Sequence, residues 1–168
     1  MSQLTVANAS LIEMGPGARI ALYGFRACMF GQAKCCCLLK MFHNTFGETG
    51  GGPALGLVMK LADRLGNKGQ RRLEVSVPDA VDITHDEASL LSAFAAAQDE
   101  DMTRARAHLT WLLARRPSEY EETLVFDLVD YFSVRGLELN TPERGAQLSS
   151  IRLAKSGAAP ALALVGRA

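Results

Sequence analysis

Two short sequences of the form Ser/Thr-x-x-Glu, each followed by apolar residues, restrict the fold of this chain more than any other feature. Thr84 and Glu87 form the first, and Ser118 and Glu121 form the second. In such a capping box each residue's side chain accepts a hydrogen bond from the backbone N–H of the other, which marks the start of a helix. The apolar residues that follow recur at helical spacing. The sequence therefore predicts one helix from each box, ending near residues 97 and 135.

Similar spacing predicts further helices over about residues 18–46, 53–66, 102–116 and 141–156. One short segment has the alternation of a strand instead, because Leu73, Val75 and Val77 alternate with polar residues as far as Pro78. We therefore expect a mainly α fold, a compact helical domain of five or six helices with a small β element near residues 71–77. This single domain is expected to span residues 1–157, followed by an apolar C-terminal tail over residues 158–168.

The composition narrows the class of protein and shows an uneven charge. With 48% hydrophobic and 21% charged residues, the 168-residue chain is neither disordered, collagen-like nor a disulfide scaffold. The net charge is zero, but residues 1–72 hold nine basic and three acidic residues, whereas residues 73–143 hold five and fifteen. We expect these two regions to face each other within the fold or in an oligomer. A pI near 6.8 argues against nucleic acid as a partner, because nucleic-acid-binding domains are usually strongly basic.

The N-terminal residues and the most apolar stretch bear on localisation. The chain begins without the basic segment and apolar core of a secretory signal. The apolar stretch over residues 18–46 contains Arg19, Arg26, Lys34 and Lys40, which are too many charges for a membrane span. These features predict a cytoplasmic protein with no membrane span, whose four cysteines are reduced thiols.

The cysteines stand out as the residues with reactive chemistry. If residues 18–46 form one helix, Cys28 and Cys35 lie opposite its basic side and are expected to be buried. Cys37 lies on the basic side between Lys34 and Lys40. Two neighbouring lysines favour a thiolate and lower its pKa. The redox candidate is therefore Cys37, assisted by Lys34 and Lys40.

The same helix offers poor geometry for a metal ion. Cys28 and Cys35 would lie about 10.5 Å apart along the axis, and adjacent cysteines would diverge by about 100° each. No zinc or iron–sulfur spacing is present in the sequence. We therefore expect no metal site and no cofactor.

No sequence motif typical of an enzyme is present. The loop Gly47–Gly52 lacks the Lys-Ser/Thr of a phosphate-binding loop, and no serine lies in a G-x-S-x-G sequence. We expect a non-enzymatic regulatory or adaptor protein that acts through contacts with a protein partner or through self-association, for example as a homodimer. The alternative is a thiol-based redox or metal sensor centred on Cys35–Cys37.

Overall fold

The structure, a computed structural model, describes residues 10–139 and confirms the mainly α fold. A 3-10 turn, Leu11–Glu13, precedes six helices in this part of the chain. The helices are α1 (Pro16–Met29), α2 (Cys36–Phe46), α3 (Gly51–Asn67), α4 (His85–Gln98), α5 (Met102–Leu113) and α6 (Glu119–Val134). The predicted helix over residues 141–156, the domain limit at residue 157 and the tail over residues 158–168 lie outside the described residues.

Both predicted capping boxes start helices, α4 and α6. The hydroxyl of Thr84 accepts the N–H of Glu87 at 3.1 Å, and the Glu87 carboxylate accepts the N–H of Thr84 at 2.9 Å. Ser118 and Glu121 form the same reciprocal pair at 3.4 and 2.7 Å. The local sequence therefore fixes where these two helices begin, because each box satisfies N–H groups that the helix itself leaves unpaired.

The helices enclose one hydrophobic core. Helix α4 packs along α5 and against α6, while α3 packs against α1, α2 and α6. Leu109 and Leu128, on the apolar sides of α5 and α6, are both 1% exposed, so these sides of the two helices face the core. A Cβ at Gly51 would lie 2.6 Å from the backbone nitrogen of His43, so this glycine permits the close approach of α3 to α2.

The predicted continuous helix over residues 18–46 is wrong, because the chain breaks between Met29 and Cys36. Gly31 has a φ of +74°, a left-handed conformation that ends a helix and that glycine adopts without strain. The N–H of Gln32 then bonds the carbonyl of Ala27 at 2.7 Å and closes the end of α1. Positions beyond Gly31 consequently do not keep the angular register that a single helix would give them.

The predicted β element at residues 71–77 is also wrong, because residues 10–139 contain no strand, only an isolated bridge between Ser10 and Asp82. The segment takes its hydrogen bonds from side chains at the start of α4. Glu74 donates its N–H to Asp86 at 2.8 Å, and Ser76 donates its N–H to Glu87 at 3.0 Å. Since these carboxylates satisfy backbone donors, no partner strand is required.

The oppositely charged regions meet inside the fold, as expected from the sequence. Arg26 of α1 is fully buried and forms a two-bond ion pair with Glu87, at 2.7 and 2.8 Å. The same guanidinium donates to the carbonyls of Ala80 and Asp82 at 2.6 and 2.8 Å. Two further ion pairs join the regions, Arg64 with Glu121 at 3.5 Å and Arg71 with Asp86, although both arginines are partly exposed.

None of the helices within residues 10–139 is long and apolar enough to cross a membrane, in agreement with the expected lack of a membrane span.

Candidate thiol site

Three consecutive cysteines mark the start of α2 and form the thiol cluster, defined as Cys35, Cys36 and Cys37. Cys35 is the residue before the helix and has an extended backbone, with φ −65° and ψ 127°. Cys36 and Cys37 are the first two residues of the helix. The three sulfur atoms all lie within 4.8 Å of one another, and all three side chains are exposed.

The buried side of α2 explains why the cysteines face outward. Leu38, Phe42 and Phe46 recur at i, i+4 and i+8 and are each at most 3% exposed, so they fix this side of the helix against the core. The first turn therefore has to present Cys36 and Cys37 to solvent. The packing of Leu38, Phe42 and Phe46 in the core thus determines on which side of α2 the thiol cluster lies.

The expectations for Cys35 were wrong on two counts. It is exposed, not buried, and adjacent sulfur atoms converge where a continuous helix would separate them. The cause of both is the break at Gly31, which leaves Cys35 in an extended conformation outside the helix. The divergence of adjacent cysteines that a continuous helix would impose therefore does not argue against a three-thiol ligand set.

The positive end of α2 acts on the cluster. Cys35 makes no capping hydrogen bond of standard geometry. The nearby backbone N–H groups of Cys37 and Leu38 nevertheless lower the pKa of the Cys35 thiol, as expected at a helix N-terminus. Hydrogen bonding to the sulfur atoms of Cys35 and Cys36 raises the pKa of Cys37. This is opposite to the direction expected for Cys37 from its lysine neighbours, and it makes Cys35 the thiol that ionises more readily.

The other residues of the predicted redox site are placed as follows. Lys34 directly precedes the cluster and Lys40 lies one turn into α2, and both are exposed. Cys28 lies apart from the cluster, in α1, and is half-buried, where the sequence predicted a buried side chain. Burial raises the pKa of the Cys28 thiol to about 11. Cys28 therefore serves as an internal reference for an unreactive thiol in the same chain.

Three neighbouring exposed thiols support two kinds of chemistry. A pair of them can form a disulfide when an oxidant accepts two electrons. All three, as thiolates, are ligands for soft metal ions. Among the described residues, no other group of three His, Cys, Asp or Glu side chains brings its ligand atoms this close together.

A second surface feature, which the sequence did not indicate, surrounds Trp111 on α5. Its side chain is 53% exposed beside an open, mainly apolar pocket of about 490 Å³. The pocket is lined by Arg71, Ala107, Thr110, Trp111 and Ala114, which together define the Trp111 surface. The guanidinium of Arg71 lies 5.2 Å from the centre of the Trp111 ring, and Asp86 holds it there at 3.0 Å. This single tryptophan is therefore a half-exposed aromatic group that lies against a held guanidinium.

Comparisons with known proteins give no independent indication of function. No protein-family model, no curated protein and no solved structure matches this chain. The function therefore has to be inferred from the geometry of the thiol cluster and the Trp111 surface.

Proposed function

We propose that the protein is a thiol-based redox sensor in which Cys35 and Cys37 form a disulfide in response to a peroxide. The observation that supports this proposal is the mutual distance of at most 4.8 Å between three exposed sulfur atoms. A reducing compartment such as the cytoplasm would keep these thiols free until an oxidant arrives. The protein is proposed to be regulatory, not an enzyme.

The backbone favours the pair Cys35–Cys37 over the two adjacent pairs. Cys36 and Cys37 both belong to α2, where consecutive side chains point about 100° apart. Cys35 and Cys36 are joined by one peptide bond, so a disulfide between them would close a small strained ring. Cys35 precedes the helix with an extended backbone and is separated from Cys37 by one residue, so this pair avoids both constraints.

The reaction balances with one peroxide molecule. One thiolate attacks the O–O bond of hydrogen peroxide, becomes a sulfenic acid and releases hydroxide. The second thiol then attacks the sulfenic sulfur, forms the S–S bond and releases its oxygen as water. Two thiols are therefore oxidised to a disulfide and one peroxide is reduced. The proton that the first thiol lost on ionisation neutralises the hydroxide, so two water molecules are formed.

Mass spectrometry after oxidation tests the proposal directly. The reduced full chain is treated with one equivalent of hydrogen peroxide, the remaining thiols are alkylated, and peptides are mapped. We expect a disulfide between Cys35 and Cys37, with Cys36 still alkylated once the chain is unfolded. Cys37→Ala should abolish the disulfide, whereas the control Cys28→Ala should leave it unchanged. A dominant disulfide between two chains, or one that survives in Cys37→Ala, would contradict the proposed sensor.

A second function, as a regulatory adaptor, is supported by the Trp111 surface. An exposed tryptophan fixed by Arg71 beside an apolar pocket resembles the aromatic anchors found at the centres of protein interfaces. We propose that a protein partner or a second copy of this chain binds here. Sedimentation of the wild type and Trp111→Ala at several concentrations tests self-association. A concentration-dependent mass that is equal in both proteins would exclude this surface as the contact between copies.

A further inference from the structure

We propose that the thiol cluster also binds one thiophilic metal ion, monovalent copper, through the sulfur atoms of Cys35, Cys36 and Cys37. The inference rests on the proposed function in one respect, since the three thiols have to be free and accessible. It differs in requiring Cys36, which the disulfide does not use. The three sulfur atoms lie within 4.8 Å of one another at the start of α2.

The spacing of the sulfur atoms suits a three-coordinate ion. With metal–sulfur bonds of about 2.3 Å, a planar three-coordinate ion holds its sulfur atoms about 4.0 Å apart. The cluster therefore has to contract by less than about 1 Å to bind. Because all three side chains are exposed, rotation about their own bonds can provide this movement without disturbing the core. Leu38 stays buried and keeps the first turn of α2 in place.

The set of ligand atoms selects the ion. It contains sulfur only, and within residues 10–139 no histidine or carboxylate joins it as a fourth ligand. Protein zinc sites are almost always four-coordinate, and structural ones have four protein ligands. Thiolates bind monovalent copper as well as zinc, and three of them without a fourth protein ligand suit monovalent copper better than four-coordinate structural zinc. A copper ion bound by three thiolates carries two negative charges, which the N-terminal end of α2 and the neighbouring exposed Lys34 help to offset.

An anaerobic competition titration tests the site. The reduced full chain competes for monovalent copper with a coloured chelator, and the chelator's absorbance reports how much copper the protein takes up. We expect one ion per chain. Cys35→Ala, Cys36→Ala and Cys37→Ala should each weaken binding by more than about tenfold, since each removes one of three ligands. Cys28→Ala should bind copper like the wild type.

Three results would overturn the proposal. Half an ion per chain would place the metal between two copies. Unchanged affinity in Cys36→Ala would leave a two-thiol site. Displacement of the copper by an equal amount of zinc would contradict the selection by an all-sulfur set of ligands. The Cys36→Ala variant also separates this proposal from the sensor, because it should still form the Cys35–Cys37 disulfide while losing the metal.

Discussion

The buried ion pair between Arg26 and Glu87 should be one of the most sensitive points of the fold. Arg26 is fully buried, and its guanidinium makes four hydrogen bonds, two to Glu87 and two to the carbonyls of Ala80 and Asp82. Arg26→Met keeps most of the volume but leaves the Glu87 carboxylate buried without its cation. Loss of one partner of a buried pair costs about 3–5 kcal/mol, and the two abandoned carbonyls favour the upper end. That is a third or more of the stability of many domains.

The structure contains a matched control for this experiment. Arg106 and Glu122 form a pair with the same atoms at the same distances, 2.7 and 2.8 Å, but their side chains are 41% and 16% exposed. Arg106→Met should therefore lower the free energy of unfolding far less, because water can solvate the remaining carboxylate. Urea unfolding followed by far-ultraviolet circular dichroism measures both variants. Equal losses in the two would refute the claim that burial determines the cost.

A double variant identifies why Arg26→Met loses stability. Adding Glu87→Gln to Arg26→Met removes the unpaired charge but keeps an amide oxygen that can accept an N–H from Ser76 or Thr84. We expect the double variant to unfold at a higher urea concentration than Arg26→Met. A double variant that is less stable than the single one would show that the orphaned carboxylate is not what destabilises the protein.

Three further predictions concern other parts of the fold. Burial would raise the pKa of Glu121, but Arg115 and Ser118 lower it to about 2, so its stabilising contribution should disappear as the pH falls from about 4.5 towards 2. The midpoint of urea unfolding should fall more steeply there in the wild type than in Glu121→Gln, and parallel curves would contradict this. Gly51→Ala should lower the melting temperature, because its Cβ would meet the backbone of His43; an unchanged melting temperature would mean that α2 and α3 separate easily. Leu109→Ala should cost about 2–5 kcal/mol in urea unfolding, and a loss below about 0.5 kcal/mol would mean that α5 is not anchored by this side.

Short-range signals predicted much of the fold correctly. Each capping box acts within four residues, so the starts of α4 and α6 follow from Thr84 and Ser118 without knowledge of the rest of the chain. The inward facing of Leu109 and Leu128 follows from helical spacing in the same way. Such features depend on local geometry, which a sequence displays directly.

Features that depend on contacts between distant residues were missed. The burial of Arg26 depends on Glu87, 61 residues away in the sequence, so no local pattern around Arg26 indicates it. The strand-like alternation at Leu73–Val77 is real, but carboxylates of α4 supply the bonds that a partner strand would have made.

The error at the thiol cluster had a local cause. Glycine weakens a helix, yet a helical wheel drawn through Gly31 carried an incorrect register to Cys35. The three adjacent sulfur atoms converge because of the path that the chain takes between α1 and α2, and the sequence does not reveal this path.

The way in which residues 72–77 are held has a consequence for how freely the sequence can vary. The segment is bound through the main-chain N–H groups of Glu74 and Ser76, and every residue except proline supplies such a group. Substitutions at these two positions should therefore be tolerated with few restrictions. The acceptors are the side-chain carboxylates of Asp86 and Glu87 in α4, so substitution of either residue removes the acceptor. The conformation of this segment is thus determined by the side chains of two residues that lie eleven to twelve positions further along the chain.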